Sequence, residues 1–118
     1  MRHASARQGQ MSGAARTAAA DRIVDFLRRI HPVKTAENVA ADSGLHVDTI
    51  QKWIDRGSAP SLVGILTLTG AYGPDVLVAA YGERSPMWLT RIAKAERAAR
   101  IEAQIELLRR ERLLLAVE

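Results

Sequence analysis

Residues Thr35 to Gly57 read "TAENVAADSGLHVDTIQKWIDRG". Two short segments of helical periodicity meet there at "SGLHV". Ala36, Val39 and Ala40 share one face of a helix over about 36–43, with Thr35 as its N-cap, the hydroxyl accepting from a first-turn amide. Gly44 follows as a C′ residue, where a left-handed backbone costs glycine nothing. Ile50, Trp53 and Ile54 then share one face of a helix over about 47–56, ended by Gly57. A short glycine-containing turn sets two such helices at roughly 90–120°. Ala40 permits close approach, and Leu45, Ile50 and Trp53 fill the wedge. The start and far side of the second helix are left facing outward.

Working outward, the rest of the chain also favours helix. Alternating β-branched runs are absent, and alanine, leucine, arginine and glutamate dominate. "AADRIVDFLRRI" predicts a helix over about 19–30, with Ile23, Leu27 and Ile30 on one face, Val24 and Phe26 widening it, and Pro32 closing it. A fourth helix is expected over about 61–70, capped by Ser61, with Leu62, Ile65, Leu66 and Leu68 inside. A fifth is expected over about 74–80, with Val76, Leu77 and Ala80 packed. The "AYG" triplets at 71–73 and 80–82 are two glycine endings preceded by tyrosine, too short for a repeat. A long helical stretch follows over about 86–116, with Trp88 expected to anchor its start to the globular part. The organisation is therefore a flexible basic N-terminal arm over 1–18, an all-α domain over 19–84, and a long C-terminal helix within 85–118. The arm is rich in Arg, Ser and Ala, a composition that weakly resembles a transit peptide, but it lacks the continuous apolar stretch of a secretory signal.

Composition narrows the function classes. With 118 residues and no cysteine, thiolate metal sites, thiol nucleophiles and disulfide frameworks are excluded. No apolar run approaches the roughly 20 residues that span a bilayer, and a cytoplasmic location is expected. His3, His31 and His46 have no metal-ligand spacing, and "GSAPSLVG" lacks the P-loop lysine. No catalytic constellation emerges, so neither an enzyme nor a cofactor is expected.

The charge distribution matters more than its total of +4. Residues 1–32 carry six arginines, Arg2, Arg7, Arg16, Arg22, Arg28 and Arg29, against Asp21 and Asp25. Residues 33–84 carry only Lys34, Lys52, Arg56 and Arg84 against six acids, and residues 85–118 carry seven basic side chains against five acids. The quoted stretch is thus acidic, with basic flanks.

Counted from Ala36, alanine stands fifth, glycine ninth, Leu45 tenth, Ile50 fifteenth and Trp53 eighteenth. The continuation "WIDRGSAPSLVGILTL" adds a tryptophan, a charged pair, a glycine, a proline and an apolar helix. Over about residues 20–82 this pattern resembles the lambda-repressor-like (Xre) family of helix-turn-helix DNA-binding proteins. Ser43, at a place usually larger and apolar, and His46, where Ser or Thr commonly caps the next helix, depart from it.

The resemblance implies a five-helix domain that puts helix 47–56 in the major groove. The residues placed outward by it are His46, Val47, Asp48, Thr49, Gln51, Lys52 and Arg56. Val47 is suited to a thymine methyl, Asp48 to a cytosine amino group and Lys52 to guanine O6/N7. Thr49, His46 and Gln51 suit phosphate, with Lys34 and Thr35 serving where Ala36 offers no polar group. Asp48 has a second reading, as a carboxylate favourable to the helix dipole by roughly 0.3–1 kcal/mol. Because affinity rests on phosphate neutralisation, the basic flanks are expected to supply it, through Arg2, Arg7 and Arg16 on the arm and Arg28 and Arg29 at the end of the first helix.

One alignment of the C-terminal stretch puts Ala98, Ile101, Ile105, Leu108, Arg112 and Leu115 at a/d spacing, widened by Leu107 and Leu114. This seam either dimerises the chain or folds back on its own domain. The expected function is that of a sequence-specific transcriptional regulator of phage or mobile-element type, binding double-stranded operator DNA as a homodimer, without a membrane. Two alternatives stand beside it. One is an adaptor that binds a protein partner through the C-terminal helix. The other is an excisionase-like architectural protein, which would follow "W-x-x-x-G-x-x-P" with a β-wing.

Overall fold

The computed structural model describes residues 2–117, and the side chains of residues 13–117. The described residues form six α-helices and one short 3-10 turn, with no strand. The helices are α1 (Arg2–Ile30), α2 (Thr35–Ser43), α3 (Val47–Arg56), α4 (Leu62–Tyr72), α5 (Asp75–Tyr81) and α6 (Met87–Val117). The core is made of Ile23, Val24 and Leu27 of α1, Ala36 and Val39 of α2, Ile50 and Trp53 of α3, Leu68 of α4 and Val76 of α5. A radius of gyration of 18.3 Å and extents of 74 × 34 × 20 Å exceed the roughly 13–14 Å radius expected of a compact chain this long. The excess length lies in α1 and α6.

The first helix corrects an expectation. It runs from Arg2, not from about residue 19, so the arm expected over 1–18 is in its described part a continuation of α1. Ala14, Ala15, Ala18, Ala19 and Ala20 are the strongest helix formers, and no proline interrupts them. Thr17 Oγ1 donates to the Gly13 carbonyl one turn back. Ile30 lies at the solvent edge, whereas Ile23 and Leu27 are buried. Pro32 ends the helix as expected, after His31 N donates to the Leu27 carbonyl.

Reversal from α1 into α2 falls on Lys34, the one non-glycine residue with positive φ among the described residues (φ 52°). Thr35 is therefore not the N-cap. It is the first residue of α2, and its hydroxyl donates back to the His31 carbonyl at 2.6 Å. The physical reason is the left-handed turn at Lys34, which carries the Thr35 side chain back towards the end of α1. Asn38 Nδ2 secures the same loop on the Val33 carbonyl at 2.9 Å.

Between α2 and α3, Gly44 adopts φ 80° and donates its N–H to the Ala40 carbonyl. Ser43 explains its own departure from the resembled pattern. Its hydroxyl donates to the Val39 carbonyl at 2.6 Å and accepts from the Leu45 N–H at 3.2 Å. A large apolar side chain there would fill the wedge, but would leave that turn amide without this partner. Helix α3 occupies the expected residues.

Ser61 caps α4, accepting from Gly64 N at 3.1 Å. The inner face of α4 differs from the expected one. Gly64 and Leu68 are buried, while Leu62 and Leu66 are 73% and 61% exposed. A Cβ at Gly64 would stand 3.3 Å from the Trp53 ring. The hydrogen at this position lets α4 close on Trp53, and that turns Leu62 and Leu66 to the opposite side.

Helix α5 returns to α1. Arg22, half-buried, donates from Nε to the Ala79 carbonyl at 3.1 Å and from Nη2 to the Ala80 carbonyl at 2.5 Å. It thereby occupies carbonyls at the C-terminal end of α5, where a cation is also favoured by the helix dipole. Gly82 (φ 66°) keeps that space open, since a Cβ would lie 2.8 Å from Arg22 Nε. The anchor of α6 is Leu89 with Ala93, which are 2% and 1% exposed, and not Trp88, which is 58% exposed. Leu89 and Ala93 stand four apart on one face, about 100° from Trp88. Asp75 adds a polar clamp, pairing with Arg97 at 2.8 Å and Arg100 at 3.4 Å. Beyond Ala93 every described residue of α6 is exposed.

Candidate nucleic-acid interface

Helix α3 is strongly two-faced. Ile50 and Trp53 are buried, and Trp53 packs beneath α4. The opposite face presents His46, Val47, Asp48, Thr49, Lys52 and Arg56, all exposed. His46 holds the cap position in an extended conformation (φ −66°, ψ 135°) without a side-chain cap bond. Its carbonyl accepts from Thr49 N and Ile50 N. First-turn amides of α3 therefore lack a side-chain partner from His46, which is exposed. Asp48 sits in that first turn and Arg56 in the last, each where the helix dipole favours its sign.

Gln51 is half-buried and donates from Nε2 to Asp55 Oδ1 at 2.9 Å. One of its two amide N–H groups is therefore engaged within α3. Thr35 is half-buried with its hydroxyl engaged, while Lys34 beside it is exposed. Arg28 and Arg29 are exposed on the last turn of α1, and Arg16 is exposed near its middle. Arg2 and Arg7 lie outside the described side chains. Ile101, Ile105, Leu108 and Leu115 are all exposed on α6, and none of them folds back onto the domain.

A polar cluster that sequence reading missed holds the scaffold from behind. His31 Nε2 lies 2.7 Å from Asp42 Oδ2, and the Tyr72 hydroxyl donates to the same oxygen at 2.7 Å. Tyr72 also meets Phe26 and His31 edge to face, with centroids 6.2 and 6.4 Å away. One carboxylate thus joins the end of α1, the end of α2 and the end of α4. The partners lie 11 and 30 residues from Asp42 in the chain, so no local pattern announces them.

The hydrogen bonds from Tyr72 and then His31 hold the Asp42 carboxyl below its ordinary value of 3.8. Burial, and then Asp42, push the Tyr72 hydroxyl well above the usual phenol range. A depressed carboxyl pKa stabilises the fold above the unfolded-state value, and that stabilisation is lost as pH falls through the folded-state value. Asp42→Asn is therefore expected to be less stable than the parent near neutrality. The difference in urea midpoint should shrink as pH is lowered from about 5 to about 2. A gap that stays constant over that range would show that ionised Asp42 contributes nothing.

Among the described residues no group of three or more His, Cys, Asp or Glu is placed to hold a metal ion. No helix among the described residues is long and apolar enough to cross a membrane. Comparison with protein-family models, with curated proteins and with solved structures finds no match to this chain.

Proposed function

We propose that the chain is a sequence-specific DNA-binding regulator with a lambda-repressor-like helix-turn-helix, α2 and α3, in which α3 enters the major groove. The observation that carries this reading is the face of α3. Two buried apolar residues, Ile50 and Trp53, lock the helix onto the domain, while His46, Val47, Asp48, Thr49 and Lys52 are exposed around its N-terminal half. Recognition helices of this kind read base edges with their N-terminal residues. Val47, Asp48 and Lys52 are the base-reading set, with Thr49, His46 and Lys34 on phosphate. Arg28 and Arg29, with Arg16 further along α1, supply the positive charge that the motif lacks. Binding is by a dimer, assembled through α6, and acts by occupancy of the operator.

The test is selection of bound fragments from random DNA with the full chain, followed by a salt titration on the enriched sequence. Enrichment of a discrete site is expected. Removal of residues 1–18 takes away Arg2, Arg7 and Arg16, and is expected to lower the salt slope by about 2 to 3. Absence of enrichment at low salt would overturn the reading, and an unchanged slope would remove Arg2, Arg7 and Arg16 from it.

A second reading has one observation in its favour. The exposed apolar seam of α6 suits an adaptor that holds a protein partner. Failure of DNA selection, together with a monomeric full chain, would favour it. An excisionase-like β-wing has no place over residues 62–81, where the chain forms α4 and α5.

A further inference from the structure

The free part of α6 carries a charge pattern as well as an apolar one. Ala98, Ile105 and Arg112 fall at a positions, and Ile101, Leu108 and Leu115 at d. Glu102 and Arg109 then fall at e. Neither joins an ion pair among the described residues, whereas Glu106 and Arg110 pair with each other at i, i+4 on the outer side. Arg97, at g, is held by Asp75 at 2.8 Å.

Two alignments with a second copy differ sharply. In a parallel, in-register pair, Arg112 meets Arg112 of the other copy inside the seam, and Glu102 finds only Arg97, which Asp75 already holds. Two like charges desolvated in one layer are strongly unfavourable. In an antiparallel pair centred between Glu106 and Leu107, Ile105 of each copy packs on Leu108 of the other. Ala98 then packs on Leu115, and Arg112 lies over Ile101 with its head free to reach solvent. Glu102 of each copy now faces Arg109 of the other, giving two symmetric ion pairs.

We infer that α6 pairs with α6 of a second copy in this antiparallel register. The inference rests on the dimer reading above and adds its geometry. The two Leu89 anchors lie 35 helical steps apart through the axis, about 52 Å at 1.5 Å per residue. The globular parts therefore stand at opposite ends of the pair, not side by side.

The chain has no cysteine, so Lys94→Cys on the exposed part of α6 accepts a single spin label. Dipolar distance measurement on the full chain is expected to give about 38 Å between labels, appearing with rising protein concentration. A distance under about 15 Å would fit helices 8–10 Å apart in parallel, overturning the antiparallel register while leaving the dimer. No dipolar coupling at any concentration would overturn the dimer itself. Sedimentation supplies a label-free check. Glu102→Arg is expected to weaken self-association several-fold, and adding Arg109→Glu to restore it. Failure of the second change to restore it would overturn the inference.

Discussion

Replacement of Trp53 by alanine is expected to cost about 3–5 kcal/mol, the usual range for truncating a buried aromatic side chain. Trp53 is 4% exposed. It sits between the inner face of α3 and the close-approaching Gly64 of α4, and shares the core with Leu27 and Val39. Its removal empties the junction at which α3 is fixed to the domain. Single domains are stable by about 5–15 kcal/mol in all, and a small one lies at the low end. The variant should therefore be largely unfolded at moderate temperature, as followed by helical circular dichroism during urea or thermal unfolding. The remaining tryptophan, Trp88, is exposed on α6, so indole fluorescence in this variant should report little of the transition. A loss below about 1 kcal/mol would mean that Trp53 does not fill the space between α3 and α4.

Lys52→Glu is expected to act on binding alone. Lys52 is exposed on the outer face of α3 and joins no ion pair among the described residues. Surface changes of that kind alter stability by within about 0.5 kcal/mol. On the proposed reading, the substitution also removes a donor to guanine and sets a carboxylate against an array of acceptors and phosphates. A good base contact is worth about 1–3 kcal/mol, so affinity for the selected site should fall by roughly ten- to a hundredfold or more. The thermal midpoint should stay near that of the parent. Undiminished affinity for the selected fragment would remove Lys52 from the interface. Together with Trp53→Ala, this variant separates holding the helix from reading with it.

The parts legible in the sequence are those dictated locally. Gly44 and Ser61 announced a left-handed turn and a cap, and both act so. The span of α3 followed from the turn before it and the glycine after it. What escaped depends on rotation or on distance. Leu62 and Leu66 looked like core because they are apolar. The phase of α4 is set instead by the missing Cβ of Gly64 against Trp53, a contact between helices. Trp88 and Leu89 are neighbours in sequence but differ by about 100° around α6, and only packing on the domain selects between them. Thr35 looked like a cap because its type suits one, yet the left-handed turn at Lys34 moved the boundary by one residue. The Asp42 cluster joins three helix ends and has no signature within any one of them. The solvent-facing side of α3 was legible from its periodicity, but the Gln51–Asp55 bond on it was not.

The embrace of α1 by α5 has a kinetic side. Helices α2, α3 and α4 meet near neighbours in the chain, and such contacts close quickly. Arg22, by contrast, reaches carbonyls 57 and 58 residues ahead of it. Loop-closing entropy must be met before contacts so far apart can contribute, which is why they slow folding. Translation delivers α1 before α5, so its buried stripe of Ile23, Val24 and Leu27, met in part by α2 and α3, is not fully covered until Asp75–Tyr81 has been made. Of the six helices, the first to be made is thus among the last to be fully locked. Nascent chains that end before Asp75 should leave part of that stripe open to water and to chaperones.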